Sequence, residues 1–531
     1  MRFWKLKKKL YPDEKDSPTA KLDEQGNLIT TTESLKNLYL KTYKSRLKKE
    51  IRHPQHQELF HMKEELWNLR YEKLKTVKTK DLDAKEIKRA IDSLKNNKTR
   101  DPNGMINETL KDCDEESDLV KSITILMNKI KDNKSLLLLM TLENITSVFK
   151  SKGSRLNLEN DRGIFILTVF KKVLDKVLYH DLYNEVEKNM SDSNIGARKN
   201  QNVRNHLFII YGIINAVNKE KKESIHIEIY DLVKAFDSLS WEESANDLYE
   251  TIDEDKRDEK LAVLYRSNET NLVSIKTPVG LTKREDFPRI VQQGGTWGPI
   301  SCSNTIDTIG KQAKKERNKG YMYKNQVKVI PLSMVDDIMS IAKCGLDSLT
   351  LNSYINTKIE LKNLKFHTKD KNGKSKCHWI HVGKKNIDCR CPEVHGTKMD
   401  EVDEDVYLGD IISKTGRNKS NIENRVSKGI GAAAKIFNII ELVSFGNHSI
   451  EVGIMLCESV LISSMIYSGE VWYNLTKSDI AELENVDRMF LNKLMGIPRS
   501  TPKEAVYLEL SIQRIEIILM KRRLMYLKYL L

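Results

Sequence analysis

The stretch SIHIEIYDLVKAFDSLS at residues 224–240 begins with the pattern of a β-strand and ends in more polar residues. Ile225, Ile227 and Ile229 alternate with other residue types, and this period of two indicates a strand. The strand leads into Asp231, whose carboxylate would share the face of Ile229 if the strand stayed regular. We therefore expect the strand to end or twist near Asp231, so that the carboxylate reaches solvent.

A second stretch, QVKVIPLSMVDDIMSIA at residues 326–342, is predicted to form a hairpin with Asp336 and Asp337 at its bend. Acidic residues are unfavourable in an apolar segment unless something binds them, although Asp-Asp is also ordinary turn chemistry. With Asp231 they make a carboxylate set that suits Mg²⁺, which takes hard oxygen ligands. Two Mg²⁺ ions, or Mn²⁺ in their place, are the arrangement that serves phosphoryl transfer.

The composition places these stretches in a basic chain of 531 residues. Lys and Arg outnumber Asp and Glu by 89 to 75, an excess of 14, which favours nucleic acid as a partner, with solubilising surface charge as the alternative. Seven cysteines and the lack of a secretory signal predict an intracellular location, in the nucleus or the cytoplasm. The longest apolar run, at 136–140, is far below the ~20 residues of a membrane span, so we expect no membrane partner.

The order of predicted elements is a helical extension, a mixed centre and a helical tail. The centre combines strands and helices without a regular βαβ rhythm. This pattern favours an α+β fold with an antiparallel sheet.

Three motifs in the centre resemble the catalytic motifs of reverse transcriptases from non-LTR, LINE-like retrotransposons. DLVKAFDSL (231–239) resembles the first, QQGGTWGP (292–299) the second, and MVDD (334–337) the third. Segments on both sides resemble further parts of the family in the same order, and together the eight motifs identify the chain as a member over about residues 22–531. These segments are KNNKTRDPNG (95–104), FKSKGSRLNLENDRGI (149–164), NIGARKNQN (194–202), KNGKSKCHWIHVGKK (371–385) and VYLGDII (406–412).

The resemblance implies a right-hand polymerase fold with fingers, a palm built on an antiparallel sheet, and a helical thumb. It implies an RNA-directed DNA polymerase that extends a DNA 3′-OH with dNTPs on an RNA template, with a DNA primer or target DNA as a further partner. We expect the chain to lack an endonuclease domain, so a nick in the target would be made elsewhere. The implied parts are residues 1–80 as a helical N-terminal extension, 81–222 as fingers with part of the palm, 223–405 as the palm with the catalytic motifs, and 406–531 as a primer-grip hairpin and helical thumb.

The resemblance also assigns roles by position. Asp231, Asp336 and Asp337 would hold the two metal ions. Phe236 would stack under the incoming sugar and clash with a 2′-OH, although an ordinary core aromatic is the alternative. Arg162 would bind triphosphate oxygens with its planar guanidinium, with a surface Arg that caps a helix as the alternative.

The remaining roles fall on loops. Gln293, Gly294 and Gly295 would form the turn that contacts template and nucleotide, because glycine lets the backbone approach a base pair closely. Lys376, with Lys374 as the competing candidate and a solvated lysine as the bland alternative, would donate a proton to the leaving pyrophosphate. The primer grip would contain Tyr407, Leu408 and Gly409.

A group of possible zinc ligands lies within nineteen residues of the chain. Its spacing does not match that of the usual zinc fingers, and we interpret the segment as a hairpin that happens to carry these residues. They are Cys377, His378, His381, Cys389, Cys391 and His395.

Two other functions stay open at this point. A catalytically decayed remnant would bind nucleic acid without turnover, but the intact carboxylates and Phe236 count against decay. A maturase-like RNA-binding protein would carry a DNA-binding or nuclease tail, and we find no such pattern in the sequence.

Overall fold

The structure is a computed structural model with the mixed α+β architecture that the sequence predicts. No described helix is both long enough and apolar enough to cross a membrane. The described residues are 19–48, 50–133, 135–221, 223–266, 271–288, 290–316, 319–369, 373–384, 389–443 and 449–531.

The strands are short, and most pair in antiparallel ladders. In chain order they are β1 (Lys21–Leu22), β2 (Leu28–Ile29), β3 (Leu142–Phe149), β4 (Asp161–Leu167), β5 (Ile225–Asp231), β6 (Leu272–Thr277), β7 (Gly280–Leu281), β8 (Glu285–Asp286), β9 (Tyr321–Tyr323), β10 (Val327–Val329), β11 (Leu332–Met334), β12 (Asp337–Lys343), β13 (His378–Val382), β14 (Glu393–Val394), β15 (Thr397–Lys398), β16 (Asp400–Glu401), β17 (Glu404–Tyr407) and β18 (Asp410–Ser413).

Helices dominate both ends of the described chain. They are α1 (Thr32–Arg46), α2 (Gln57–Lys75), α3 (Ala84–Asp92), α4 (Asp118–Asn133), α5 (Val169–Lys188), α6 (Val203–Glu220), α7 (Ala235–Ser238), α8 (Trp241–Thr251), α9 (Glu254–Leu261), α10 (Gly298–Lys315), α11 (Leu346–Glu360), α12 (Lys419–Val443), α13 (Ser449–Leu456), α14 (Ser463–Met465), α15 (Lys477–Met495), α16 (Lys503–Glu509) and α17 (Ile515–Leu530).

The predicted strand at the start of 224–240 is β5, and it lies at the centre of a five-stranded sheet with the order β11-β12-β5-β13-β16. β5 is antiparallel to β12 on one side and to β13 on the other. Ile225, Ile227 and Ile229 pack into a core shared with α6 and the C-terminal helices. The other face is also buried, because α11 covers it. A strand buried on both faces is the usual occupant of a sheet centre.

The predicted hairpin is formed by β11 and β12, but its first arm is shorter than the sequence suggested. Val327–Val329 instead pairs with Tyr321–Tyr323 in a separate two-stranded sheet. Pro331 stands between the two segments and has no N–H to donate to a ladder. The proline therefore separates β10 from the strand that carries the acidic bend.

A second sheet, with the order β4-β3-β6-β7, lies earlier in the chain, and β8 adds to β6. β3 is antiparallel to β4 and parallel to β6. α1 contributes Leu35, Tyr39 and Tyr43 to the small core on this sheet. The hydroxyl of Tyr43 lies 3.0 Å from Ser147 Oγ on β3, so part of the N-terminal extension is docked against this sheet.

Candidate active site

The central sheet brings the three predicted carboxylates together. Asp231, the last residue of β5, stands directly opposite Asp337, the first residue of β12. Directly opposite residues of an antiparallel pair have Cα atoms about 4.5–5.5 Å apart, and their side chains point to the same face. Asp336 precedes Asp337 at the hairpin bend. The end of β5 thus lets Asp231 reach solvent, as the sequence required.

The negative charges of these carboxylates repel one another. Desolvation by the surrounding protein, followed by the charges of Asp336 and Asp231, raises the pKa of Asp337 to about 6 although its side chain stays open to solvent. Burial also raises the pKa of Asp336, and the charge of Asp231 adds to this while Arg162 opposes it. Divalent cations would remove the repulsion, so the carboxylate set fits Mg²⁺ or Mn²⁺.

The bend that carries Asp336 is strained. Val335 has a φ of 59°, a conformation that a β-branched residue adopts at a cost on the order of 1–3 kcal/mol. The preceding strand is held by a neighbouring segment, because Ile195 N donates to Ser333 O at 3.0 Å and Ser333 N donates to Ser193 O at 2.9 Å. Residues 193–196 therefore support the hairpin, a contact that the sequence did not reveal.

Replacing Gly196 by Ala is expected to lower the free energy of unfolding by about 1–3 kcal/mol, because overpacking forces neighbours to shift. A Cβ at this position would lie 2.5 Å from Ser303 Oγ and 2.6 Å from the backbone nitrogen of Val335. Urea unfolding measures the loss. Gly431→Ala is the control, since nothing lies within 4 Å of its Cβ position, and there we expect no loss. Equal effects of the two substitutions would contradict the bracing role.

Two basic side chains stand beside Asp231. Lys376 Nζ lies 3.3 Å and His367 Nε2 3.6 Å from Asp231 Oδ2, and the two nitrogens are 3.0 Å apart. The backbone N–H of His367 also donates to the carbonyl of Asp231 at 2.9 Å. Burial, and then the charge of Lys376, lowers the pKa of His367. Lys376 is thus placed in contact with a predicted metal ligand, and His367 is a site residue that sequence reasoning missed.

The turn of the second motif is joined to β4. Phe165 N donates to Gln293 O at 2.9 Å. Gly294 has a φ of 110°, and a Cβ there would lie 2.9 Å from Phe165 O, so this position requires glycine. At Gly295 the closest atom would be 3.5 Å away, which is ordinary contact. The need for glycine at Gly294 therefore comes from the protein backbone, and the expected approach to a base pair stays a prediction.

β4 also carries Arg162, and its alternation explains how Arg162 faces outward. Asp161 is buried, where Lys21 Nζ lies 3.1 Å from its Oδ2 and Ser147 Oγ donates to the same oxygen at 2.7 Å. The next side chain of the strand, Arg162, is exposed. The positive charge of Arg162 favours a lower pKa of Asp336, against the effect of burial, so Arg162 contributes to the electrostatic surroundings of the carboxylates.

Phe236 lies in α7, five residues after Asp231, and is half-buried. Its ring edge lies 3.8 Å from the position that a Cβ of Gly298 would take at the start of α10. A Cβ at Gly298 would also lie 2.3 Å from Gln292 O. Phe236 therefore packs beside the end of the second motif, and its predicted stacking under the incoming sugar stays a prediction.

The predicted primer-grip hairpin is formed by β17 and β18. Leu408 and Gly409 both have positive φ, 48° and 86°, as a two-residue type I′ turn requires. The turn is fixed from behind, since Tyr467 OH donates to Leu408 O at 3.0 Å and Arg425 donates to Gly409 O at 2.7 Å. Tyr407 is buried, with its hydroxyl 3.2 Å from His206 Nδ1, so it supports the turn and does not form its outer surface.

No protein-family model matches the chain, and no curated protein matches it. The functional assignment therefore depends on the residues and on the geometry of the site.

Proposed function

We propose that the chain is an RNA-directed DNA polymerase of the LINE-like reverse transcriptase type, with a right-hand fold. The observation that carries the proposal is the register of the central sheet, which sets Asp231 directly opposite Asp337 and next to Asp336. Such converging carboxylates are the ligand set of a two-metal nucleotidyl transfer site. In this proposal residues 81–222 form the fingers, 223–405 the palm and 406–531 the primer grip and thumb, behind an extension at 1–80.

The proposed chemistry is transfer of a nucleotide from a dNTP to a DNA 3′-OH on an RNA template. Two Mg²⁺ or Mn²⁺ ions would supply charge neutralisation for the attacking and leaving oxygens. Asp231 at the end of β5 and Asp336 and Asp337 at the hairpin bend would hold these ions. Arg162 binds triphosphate oxygens from β4, which fits the exposure of its guanidinium and its effect on Asp336.

The other predicted site residues surround the nucleotide. The turn at Gln293 contacts template and nucleotide in this proposal, and a backbone hydrogen bond from Phe165 joins it to β4, the strand that carries Arg162. Phe236 stacks under the sugar. Leu408 and Gly409 present the hairpin tip to the primer strand, and the side chain of Tyr407 holds the tip in place.

The direct test is primer extension by the purified chain on a DNA primer annealed to RNA, with dNTPs and Mg²⁺. Extension that stops when the metal is chelated supports the proposal. Binding of the template and primer without any extension, in Mg²⁺ and in Mn²⁺, would overturn it and would favour a decayed remnant. Binding of structured RNA alone would favour a maturase-like protein.

Replacing Phe236 by Val is expected to raise the use of ribonucleotides relative to deoxynucleotides by about tenfold to a hundredfold, because a packing difference of this size is worth that much discrimination. The substitution removes the ring that would clash with a 2′-OH. The smaller side chain of valine is still apolar and keeps part of the packing beside Gly298. The measurement is the ratio of kcat/KM for a dNTP and the matching rNTP.

Phe170→Val is the matched control, because Phe170 is also half-buried against the same core. We expect it to leave the ratio unchanged. If both substitutions shift the ratio equally, or neither does, Phe236 is a core aromatic and not a gate.

A further inference from the structure

Four potential metal ligands converge at the other end of β5 from Asp231. His226 lies on β5 and His381 directly opposite on β13. Cys344 follows β12, and Cys389 lies further along the chain from β13. One ligand atom from each of the four lies within 4.8 Å of the others. Three neighbouring strands and a connecting segment therefore contribute to one cluster.

This cluster is separate from the carboxylate site. His226 and Asp231 are five residues apart on one strand, which at ~3.3 Å per residue sets their Cα atoms roughly 17 Å apart. They also belong to opposite faces of the sheet, because their positions differ by an odd number. The His226 side chain faces α11, where its Nδ1 lies 2.9 Å from Ser348 Oγ.

The distances fit a tetrahedral ion. His381 Nδ1 lies 3.5 Å from Cys344 Sγ and 3.9 Å from Cys389 Sγ. With Zn–S near 2.3 Å and Zn–N near 2.05 Å, a tetrahedral angle gives a sulfur–nitrogen separation of about 3.6 Å. We propose that His226, Cys344, His381 and Cys389 bind one Zn²⁺ ion.

The surroundings of His226 match those of a zinc ligand. Its Nδ1 is bonded to Ser348 Oγ, which in turn donates to Glu228 Oε1 at 2.8 Å. Ser348 and Glu228 are both fully buried. In metal-bound histidines, the N–H of the second ring nitrogen commonly donates a hydrogen bond to such a partner, which fixes the tautomer and the ring orientation. The relay from Glu228 through Ser348 therefore assigns Nε2 of His226 to the metal.

Among the described residues, a second group of possible metal ligands consists of His53, Glu360 and His395, and ring nitrogens of both histidines already have protein partners. His395 uses both ring nitrogens, one 2.9 Å from Glu360 Oε1 and one accepting from Phe366 N at 2.9 Å. His53 Nε2 lies 2.6 Å from Leu364 O. Protein partners already satisfy that group, so geometry alone does not make every cluster a metal site.

Four protein ligands leave no open position, which is the pattern of a structural zinc. The ion would tie β5, β12 and β13 to the segment that contains Cys389. The set could not be found from sequence spacing. Only His381 and Cys389 belong to the group of six considered for zinc, whereas His226 and Cys344 lie far from it in the chain. The interpretation of that segment as a hairpin without a metal role is therefore replaced by this proposal.

The test is the zinc content of the full chain, expressed without a metal-binding tag and purified under reducing conditions. We expect about one zinc per chain, and at least a tenfold lower content in Cys389→Ser, since a thiolate ligand is lost. Cys391→Ser is the matched control, because Cys391 lies two residues away with its Sγ 3.2 Å from Met399 O, and it should retain the ion. Equal zinc contents in the two variants would overturn the proposal.

A second measurement covers the case in which the Cys389 variant does not fold. Wild-type chain loaded with Co²⁺ should show the visible absorption of a tetrahedral, thiolate-bound ion. Lack of both zinc and this absorption in reduced wild-type chain overturns the site. In chain purified and denatured without reductant, a thiol count of five instead of seven would indicate one disulfide. Peptide mapping of that disulfide to Cys344 and Cys389 would also overturn the site.

Ser348→Ala tests the relay without removing a ligand. We expect zinc affinity to fall by about 10–100-fold, the usual effect of losing the group that orients a ligand. Competition with a chelator of known affinity measures it. An unchanged affinity would show that the Ser348 hydroxyl does not orient His226 for metal binding.

Discussion

Replacing Asp336 by Asn is expected to slow RNA-templated primer extension by at least ~10³-fold, since loss of a metal ligand removes several kcal/mol of charge stabilisation from the transition state. Asp336 is the carboxylate at the hairpin bend, next to the directly opposed pair Asp231 and Asp337. Asn keeps the size of the side chain but loses its charge. Single-turnover incorporation at saturating dNTP and Mg²⁺ measures the chemical step apart from binding.

The control is Asp347→Asn, which removes a charge from an exposed position in the first turn of α11. We expect this variant to extend primers at the wild-type rate. Binding of template and primer should stay within a few-fold of wild type in both variants. A loss of less than tenfold in Asp336→Asn, beside an active wild type, would show that this carboxylate does not hold a catalytic ion.

The local parts of the site were predictable from sequence. The alternation of isoleucines specifies β5, and the apolar arm around two aspartates specifies the β11–β12 hairpin. These features depend on residues close together in the chain, where periodicity and turn chemistry act. The length of the first arm was not predictable in the same way, because a proline and a competing partner strand decide it.

The contacts between distant segments could not be read from the sequence. The bracing of the bend by residues 193–196, and the approach of His367 to Asp231, depend on pairings across more than a hundred positions. Tyr407 was predicted to belong to the primer grip, and it is buried in the core, with its hydroxyl near His206 on α6. The motif suggested a contact with the primer, but only the fold shows that the Tyr407 side chain faces the core.

The polar residues of β5 are buried, although their alternation with isoleucines is typical of a strand with one face in water. One face carries isoleucines and ends in Asp231, while the other carries His226, Glu228 and Tyr230 under α11. Burial raises the pKa of Glu228, and hydroxyl groups of Tyr230, Ser340 and Ser348 bond its carboxyl. A half-exposed strand would place such residues in water. Here the strand serves two sites, the carboxylates at one end and the proposed zinc at the other.

Replacing Lys376 by Ala is expected to slow nucleotide incorporation by about 10²-fold, the lower range for loss of a positioned proton donor. The ammonium lies 3.3 Å from Asp231 Oδ2, so Lys376 stands beside one of the proposed metal ligands. This ion pair is largely exposed, so its loss should change stability by less than about 1 kcal/mol. Rapid-quench incorporation at saturating dNTP, with urea unfolding beside it, separates chemistry from folding.

Lys374→Ala is the decisive companion, because it removes the same charge two residues away in the same segment. If Lys376 assists the leaving group, the Lys374 variant stays within about threefold of wild type, since a surface charge acts only through screened long-range forces. Lys376→Arg should restore dNTP binding better than the chemical step, because guanidinium keeps the charge but gives up a proton poorly. Equal losses in the two Ala variants would assign both lysines to general attraction of phosphate. A larger loss at Lys374 would transfer the role to that residue and leave Lys376 as the partner that holds Asp231 in place.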